Sequence, residues 1–222
     1  MDDPGFAVGP PPFKPSNSEA LDIIRRELQD CHACTARQEA RYPVPGVGNS
    51  TGLVFIGRNP GKTEDIDGEP FVGPSGRNFE EFLRLCGITR DEIFLFNLAQ
   101  CHTVSDRALT NAEISTCVKL WVSRYLTVLK PYLVVTMGEA CSRWLAGCTS
   151  LSKNHGTVYK TKQGWYTIPI FHPAALLYNR SPENLAKRDF EVVQIRRFLS
   201  NKEHYINDQK EGANNSLPTN DP

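Results

Sequence analysis

The chain has 222 residues, 25 of them basic and 25 acidic, so its formal net charge is zero; this argues against a general nucleic-acid coat protein, which is usually basic overall. The length suits one domain with a full core and is short for two. No stretch approaches the ~20 apolar residues that span a bilayer, and the N-terminus lacks the basic segment and apolar run of a secretory signal. With seven cysteines, this predicts a cytoplasmic protein, free of the membrane, whose thiolates bind metal rather than pair.

Residues 1–16 hold five prolines and no apolar periodicity and are expected to be a disordered leader. Ser18 can cap a helix through Gln29 with Leu21, Ile24 and Leu28 on one face, delivering the chain into Cys31 and Cys34. Residues 52–57, GLVFIG, form an apolar run ending at glycine, as a buried parallel strand does. A helix is expected over Gly76–Cys86, with Phe79, Phe82, Leu83 and Cys86 inward, and a strand over 93–98, IFLFNL. Thr110 and Glu113 make a capping box for a long helix from Asn111 to Leu129, stopped by Pro131. A strand LVVTMG, a helix from Glu139 to Leu145 and a strand TIPIF at 167–171 come next. Ser181-Pro182 opens a last helix to Leu199. Residues 203–222 are polar and Pro/Asn-rich, which predicts a disordered tail. The alternation predicts an α/β fold: a single domain, with a central mostly parallel sheet and helices on both faces. In such sheets ligands bind at the carboxyl ends of the strands. Gly57–Gly61, Asn97–Cys101, Gly138 and His172 each close a strand, which points to one shared site.

Four cysteines are spaced as Cys31-x2-Cys34 and Cys101-x15-Cys117. Four thiolates converging from two distant stretches would select zinc or an iron–sulfur cluster. By spacing alone, four buried small hydrophobes are an equal reading. Cys86, Cys141 and Cys148 fall on or near apolar helix faces and are assigned to the core.

Between the cysteine pairs lies LVFIGRNPGKTEDIDGEPFVGPSG, residues 53–76. Further on come Asn97 in FLFNLAQC, LVVTMGEA at 133–140 and HPAALL from His172. In this order and spacing the chain resembles the uracil-DNA glycosylase superfamily over about residues 20–200, and most closely its iron–sulfur family 4 branch. The resemblance implies a glycosylase domain over 17–202 and a [4Fe-4S] cluster on Cys31, Cys34, Cys101 and Cys117. It also implies DNA as the partner of a monomer.

Glycosidic bond cleavage passes through an oxocarbenium-like state with an anionic leaving base, and needs a pocket for an extruded nucleotide. Gly57, Arg58, Asn59 and Gly61 lie on a tight turn whose backbone can approach the nucleotide. By resemblance, Asn59 orients water, Phe71 stacks on the base, Asn97 reads its edge and His172 stabilises the departing anion. Leu176, Leu177 and Tyr178 are the candidates for a wedge into the duplex. Glu64 and Asp65, two adjacent loop acids, are candidates for polarising water. Arg58, Lys62, Arg77, His102, Arg107 and Arg180 are candidate phosphate contacts.

Three positions depart from family 4: Arg58-Asn59 stands where Glu and a small residue are usual, and Tyr178 where Arg is frequent. Excision of a pyrimidine without strand cleavage is expected, because no lysine occupies a nucleophile position, and uracil is the favoured base. A glycosylase for a modified cytosine, such as glucosylated hydroxymethylcytosine in antiviral defence, is the alternative. Arg58, with donors suited to hydroxyls or phosphate, supports it. Two further readings are a catalytically weak DNA-binding module and a zinc-binding structural protein.

Overall fold

The computed structural model describes residues 16–215, so most of the expected leader lies outside the described residues. Helix α1 (Asn17–Gln29) starts two residues earlier than Ser18 implies. Ser16 is its cap and closes a reciprocal capping box with Glu19. A short helix α2 (Ala36–Glu39) and edge strand β1 (Val47–Gly48) lead into β2 (Leu53–Gly57). Helices α3 (Lys62–Asp67) and α4 (Pro74–Cys86) then precede β3 (Phe94–Asn97).

The predicted long helix is present as α5 (Asn111–Cys117), a π-helical turn (Val118–Val122) and α6 (Ser123–Leu129). Strand β4 (Leu133–Met137), helices α7 (Glu139–Ala146) and α8 (Leu151–Asn154), and strands β5 (Tyr159–Lys160) and β6 (Tyr166–Ile170) follow. The described chain closes with α9 (Ala175–Tyr178), α10 (Pro182–Ser200) and α11 (Lys202–Asn215).

The six strands are ordered β1-β3-β2-β4-β6-β5, with β3, β2, β4 and β6 parallel and the two-residue strands β1 and β5 antiparallel at the edges. Successive residues of the central strands enter opposite cores, as strand geometry requires. Val54, Ile56, Phe94, Phe96 and Val134 pack with α1 and the α5–α6 helix on one face. Leu53, Phe55, Leu95, Val135 and Ile168 pack with α4 and α10 on the other. This is the expected α/β sheet with helices on both faces. Cys86, Cys141 and Cys148 are buried, as assigned.

The tail expectation is corrected over 203–215, where the chain is helical. Tyr205 stacks on Phe198 with ring centroids 4.0 Å apart, and Asp208 accepts hydrogen bonds from Lys160 and Tyr166. Polar composition hid the single aromatic that docks the helix. Residues 216–222 lie outside the described range. Among the described residues no helix is long and apolar enough to cross a membrane.

Candidate active site

Strands β2 and β3 run in parallel register so that Gly57 lies opposite Asn97. A β-carbon on Gly57 would lie 2.5 Å from Asn97 Oδ1 and 2.6 Å from Phe71 Cζ. Only a glycine admits both side chains at this point, so Gly57, Phe71 and Asn97 meet at one place. Asn97 is buried, and its Oδ1 has no hydrogen-bond partner among the described residues. A buried acceptor left unpaired is costly and marks a place for a donor from outside the chain.

Phe71 is a buried aromatic at φ 57°, a left-handed backbone conformation that is strained for a bulky residue. Two features hold it there. Gly76 brings the backbone so close to the Phe71 carbonyl that an added β-carbon would sit 2.0 Å from it. Arg90 donates from Nη1 to the Phe71 carbonyl at 3.3 Å and from Nη2 to the Pro70 carbonyl. The ring contacts Phe79 at 5.1 Å and stacks on His172 at 5.6 Å between centroids. Residues 69–76 thus form a rigid platform against the imidazole. Arg90 carries no motif signal, and the sequence reading misses it.

His172 follows β6. Its Nδ1 accepts the Ala174 backbone N–H at 3.1 Å, so the neutral ring carries its proton on Nε2. Burial, and then the charge of Arg58, push its pKa down to about 4. It is therefore a neutral donor at physiological pH. Asn78 and Glu191, both buried, secure the backbone on either side. Asn78 Nδ2 donates to the Pro173 carbonyl at 3.1 Å, and Glu191 Oε1 accepts the Phe171 N–H at 2.8 Å. Glu191 also lies 3.0 Å from His155 Nδ1. Burial raises the Glu191 pKa to about 8 and lowers that of His155, so this contact joins two neutral groups. Such braces come from helices distant in sequence and leave no local pattern.

The turn after β2 is pinned to the end of β3: Leu98 N donates to the Gly57 carbonyl at 2.7 Å and Ala99 N to that of Arg58 at 2.9 Å. Arg58 Nε donates to Asn59 Oδ1 at 2.8 Å, and Asn59 Nδ2 donates to the Pro60 carbonyl at 3.2 Å. One lone pair and one N–H of Asn59 remain for a water. His102 Nδ1 meets the same Pro60 carbonyl at 3.1 Å, so it braces the turn.

The acids are placed differently from the expected loop. Glu64 and Asp65 lie in α3; Glu64 is buried and its Oε1 accepts the Gly73 N–H at 2.9 Å, joining α3 to the start of α4. Gly61 packs against the other oxygen, which an added β-carbon would approach to 2.7 Å. Asp65 Oδ1 accepts the Arg41 N–H at 2.9 Å, toward the cysteine segment. Neither acid is brought to the meeting point of Gly57, Phe71 and Asn97. Of the wedge candidates, Leu177 and Tyr178 are 42% and 88% exposed, whereas half-buried Leu176 lines a small, partly open pocket with Asn78, His172 and Glu191. Lys62 and Arg77 are exposed, and Arg180 pairs with Glu81 at 2.9 Å. Arg107 is no free phosphate contact: it pairs with Glu113 at 2.7 Å and with Glu39.

Cys31, Cys34, Cys101 and Cys117 line one small chamber with Arg37, Gln100 and Trp121. The pKa values of Cys101 and Cys117 are pushed up to about 12, first by burial and also by the neighbouring thiols. A cationic iron–sulfide core would relieve that cost. Gln100 N donates to Cys117 Sγ at 3.4 Å, and Arg37 Nε is a buried donor with no partner among the described residues. Both suit an electron-rich sulfur centre. Among the described residues no three His, Cys, Asp or Glu side chains are gathered for a single metal ion. Four thiols with a sulfur-directed N–H and an unspent buried donor beside them fit a thiolate-held metal centre such as an iron–sulfur cluster.

The family model of the uracil DNA glycosylase superfamily matches residues 45–195. The type-4 uracil-DNA glycosylase of Archaeoglobus fulgidus is 32% identical over 185 residues, covering 79% of this chain and 92% of that protein. Those of Saccharolobus solfataricus and Thermotoga maritima are 32% and 33% identical, covering 78% and 76% of this chain and 85% and 88% of theirs. Family match and relatives span the strand ends that form the pocket, and the chain belongs to the uracil DNA glycosylase superfamily, on the type-4 branch of these DNA glycosylases.

Proposed function

We propose that the protein excises uracil from DNA by hydrolysis, leaving an abasic site, and carries a structural [4Fe-4S] cluster on Cys31, Cys34, Cys101 and Cys117. The observation that carries this reading is the buried, unpaired Oδ1 of Asn97 beside Phe71 and Gly57. Uracil presents an N3–H donor to that acceptor. Cytosines present an acceptor at the same atom and pair only with the Asn97 amide turned over, Nδ2 toward N3 and Oδ1 toward the N4 amine. The extruded base stacks on Phe71. His172 Nε2–H donates to the base oxygen on which negative charge develops, and Asn59 orients the attacking water. A neutral imidazole suits this task because it donates without first losing a proton to a basic leaving group. Leu177 and Tyr178 enter the space vacated in the duplex. When bound, the cluster supplies cross-linking rather than redox chemistry, tying the segment after α1 to α5.

The test is excision from oligonucleotides carrying uracil opposite guanine, opposite adenine or in single strands, followed by alkaline cleavage of abasic sites. Release of uracil, with strand breaks only after alkali, is the expected result. Release from hydroxymethylcytosine or its glucosylated form, without release of uracil, would replace this reading by the modified-base one.

A further inference from the structure

Arg58 directly follows Gly57, the residue against which Asn97 and Phe71 close. Its carbonyl is fixed by Ala99 N, so its α-carbon is anchored at the mouth of the pocket. Its side chain is tethered at one nitrogen only, through Nε to Asn59 Oδ1 at 2.8 Å. Asn59 is itself held by the Pro60 carbonyl, and that carbonyl by His102. The two terminal nitrogens make no hydrogen bond or ion pair among the described residues, and the residue is exposed. Nearly every other arginine around the site is spent: Arg90 on Phe71 and Pro70, Arg107 on Glu39 and Glu113, and Arg180 and Arg188 on Glu81. A permanently charged fork, aimed by a chain of neutral hydrogen bonds and lacking a counter-ion, is arranged to receive an anion. Its charge is already felt at His172.

Two anions reach this place on DNA: a backbone phosphate and the departing base. We infer that Arg58 is a catalytic residue that stabilises the departing base anion, and that Asn59 is the positioning residue that aims it. The inference rests on the uracil-excision reading. The C1′–N1 bond breaks with its electron pair leaving on the base, the water oxygen bonds to C1′, and one water proton ends on the base. Arg58 shares the transient negative charge with His172 and exchanges no proton.

The test uses single-turnover excision from two duplexes, one carrying uracil and one 5-fluorouracil, whose fluorine makes the base a better leaving anion. Wild-type protein, R58A, R58K, N59A and the R58A/N59A double variant are compared at two salt concentrations. R58A is expected to lose ~10²-fold on uracil and clearly less on 5-fluorouracil, with R58K recovering part of the loss. N59A should shift the ratio of the two rates in the same direction while also lowering both rates through the water it orients, and in the double variant the ratio should shift no further than in R58A, as for residues acting as one unit on the leaving group. Comparing two bases on one protein cancels any loss of folded material. Equal loss on both bases, with a flatter salt dependence, would assign Arg58 to a phosphate and overturn the inference. If wild-type protein releases neither base, the uracil reading fails and the inference falls with it.

Discussion

The candidate pocket around Gly57, Phe71 and Asn97 and the cysteine chamber share one short segment, Asn97–Cys101, yet they are finished to different degrees. At the pocket every backbone is tied: Phe71 by Arg90 and Gly76, the turn by Leu98, Ala99 and His102, and the His172 loop by Asn78 and Glu191. What remains open there is a small set of side-chain atoms facing a guest. At the chamber Cys101 and Cys117 are buried while Cys31 and Cys34 are half-buried, and burial opposes the charged form of the first two. Preorganisation of this kind lets a site bind and turn over without rearrangement. A thiolate-held metal centre, where one forms, instead contributes its binding energy to folding.

The largest effect should come from breaking the chamber. Cys34→Ala is expected to remove the brown colour and visible absorption and to lower the yield of soluble protein, whereas Cys86→Ala should keep the colour. Loss of colour with Cys86 instead would reassign the ligands. At the pocket, His172→Ala and Asn97→Ala should each cost ~10²–10³ in single-turnover rate with the melting temperature nearly kept. A large fall in melting temperature would show that the pocket is less independent of folding than its ties imply.

Arg90→Ala lies between these cases. It frees the strained Phe71 backbone without touching the guest. It should reduce turnover by about tenfold, a consequence of lost positioning, and increase protease cleavage within 69–76.

The two regions should also answer pH with opposite signs. Glu113, beside the chamber, joins Thr35 to Arg107, and the Arg107 guanidinium holds its carboxyl well below the usual range. A depressed carboxylate contributes stability that is full above its unfolded pKa of about 4.5 and lost as pH falls toward the folded value. Glu113→Gln should cost on the order of 2 kcal/mol at neutral pH and nothing further in acid, measured by denaturant unfolding.

Glu191, behind the pocket, keeps its proton in the folded state up to about pH 8, so its contribution falls as pH rises from its unfolded value. Below about 6.5 that fall is offset by His155 and His172, which the unfolded chain protonates and the folded one does not. The decline therefore shows between about 6.5 and 8, at no more than about 1.4 kcal/mol per pH unit. Glu191→Gln should flatten it.

Much of the pocket was legible because it sits where apolar runs end. LVFIG, FLFN and LVVTM announce buried parallel strands, and their last residues fall at one sheet edge for topological reasons. The edge strands β1 and β5 were not legible, since two residues carry no period. Adjacent acids at 64 and 65 resembled a loop; a short helix that buries Glu64 against Gly73 changes its meaning. Leu176 and Leu177 are indistinguishable by composition, and only the α9 turn sends one inward. Arg107 resembled a phosphate ligand until two glutamates from other segments met it. Gln100, Asn78 and Glu191 act across long sequence separations, for which periodicity offers no signal.

The π-helical turn at Val118–Val122 has a bearing on how this helix tolerates change. Its i→i+5 bonding absorbs one residue beyond the α-helical count, so the eight steps from Cys117 to Tyr125 sweep roughly seven residues' worth of rotation. The two side chains end about 20° apart around the axis, where an uninterrupted α-helix would set them about 80° apart. Cys117 can therefore face the chamber while Tyr125, from the same helix, reaches the Gly46 N–H with its hydroxyl at 3.0 Å. Deleting any one residue of the turn would restore regular α-helical hydrogen bonding and leave the two halves in the same rotational register, because seven α-helical steps sweep what the eight steps across the turn now do. A deletion in the regular part of α6 before Tyr125 leaves the turn in place and rotates Tyr125 by about 100° against Cys117, a twist applied between the chamber and the sheet.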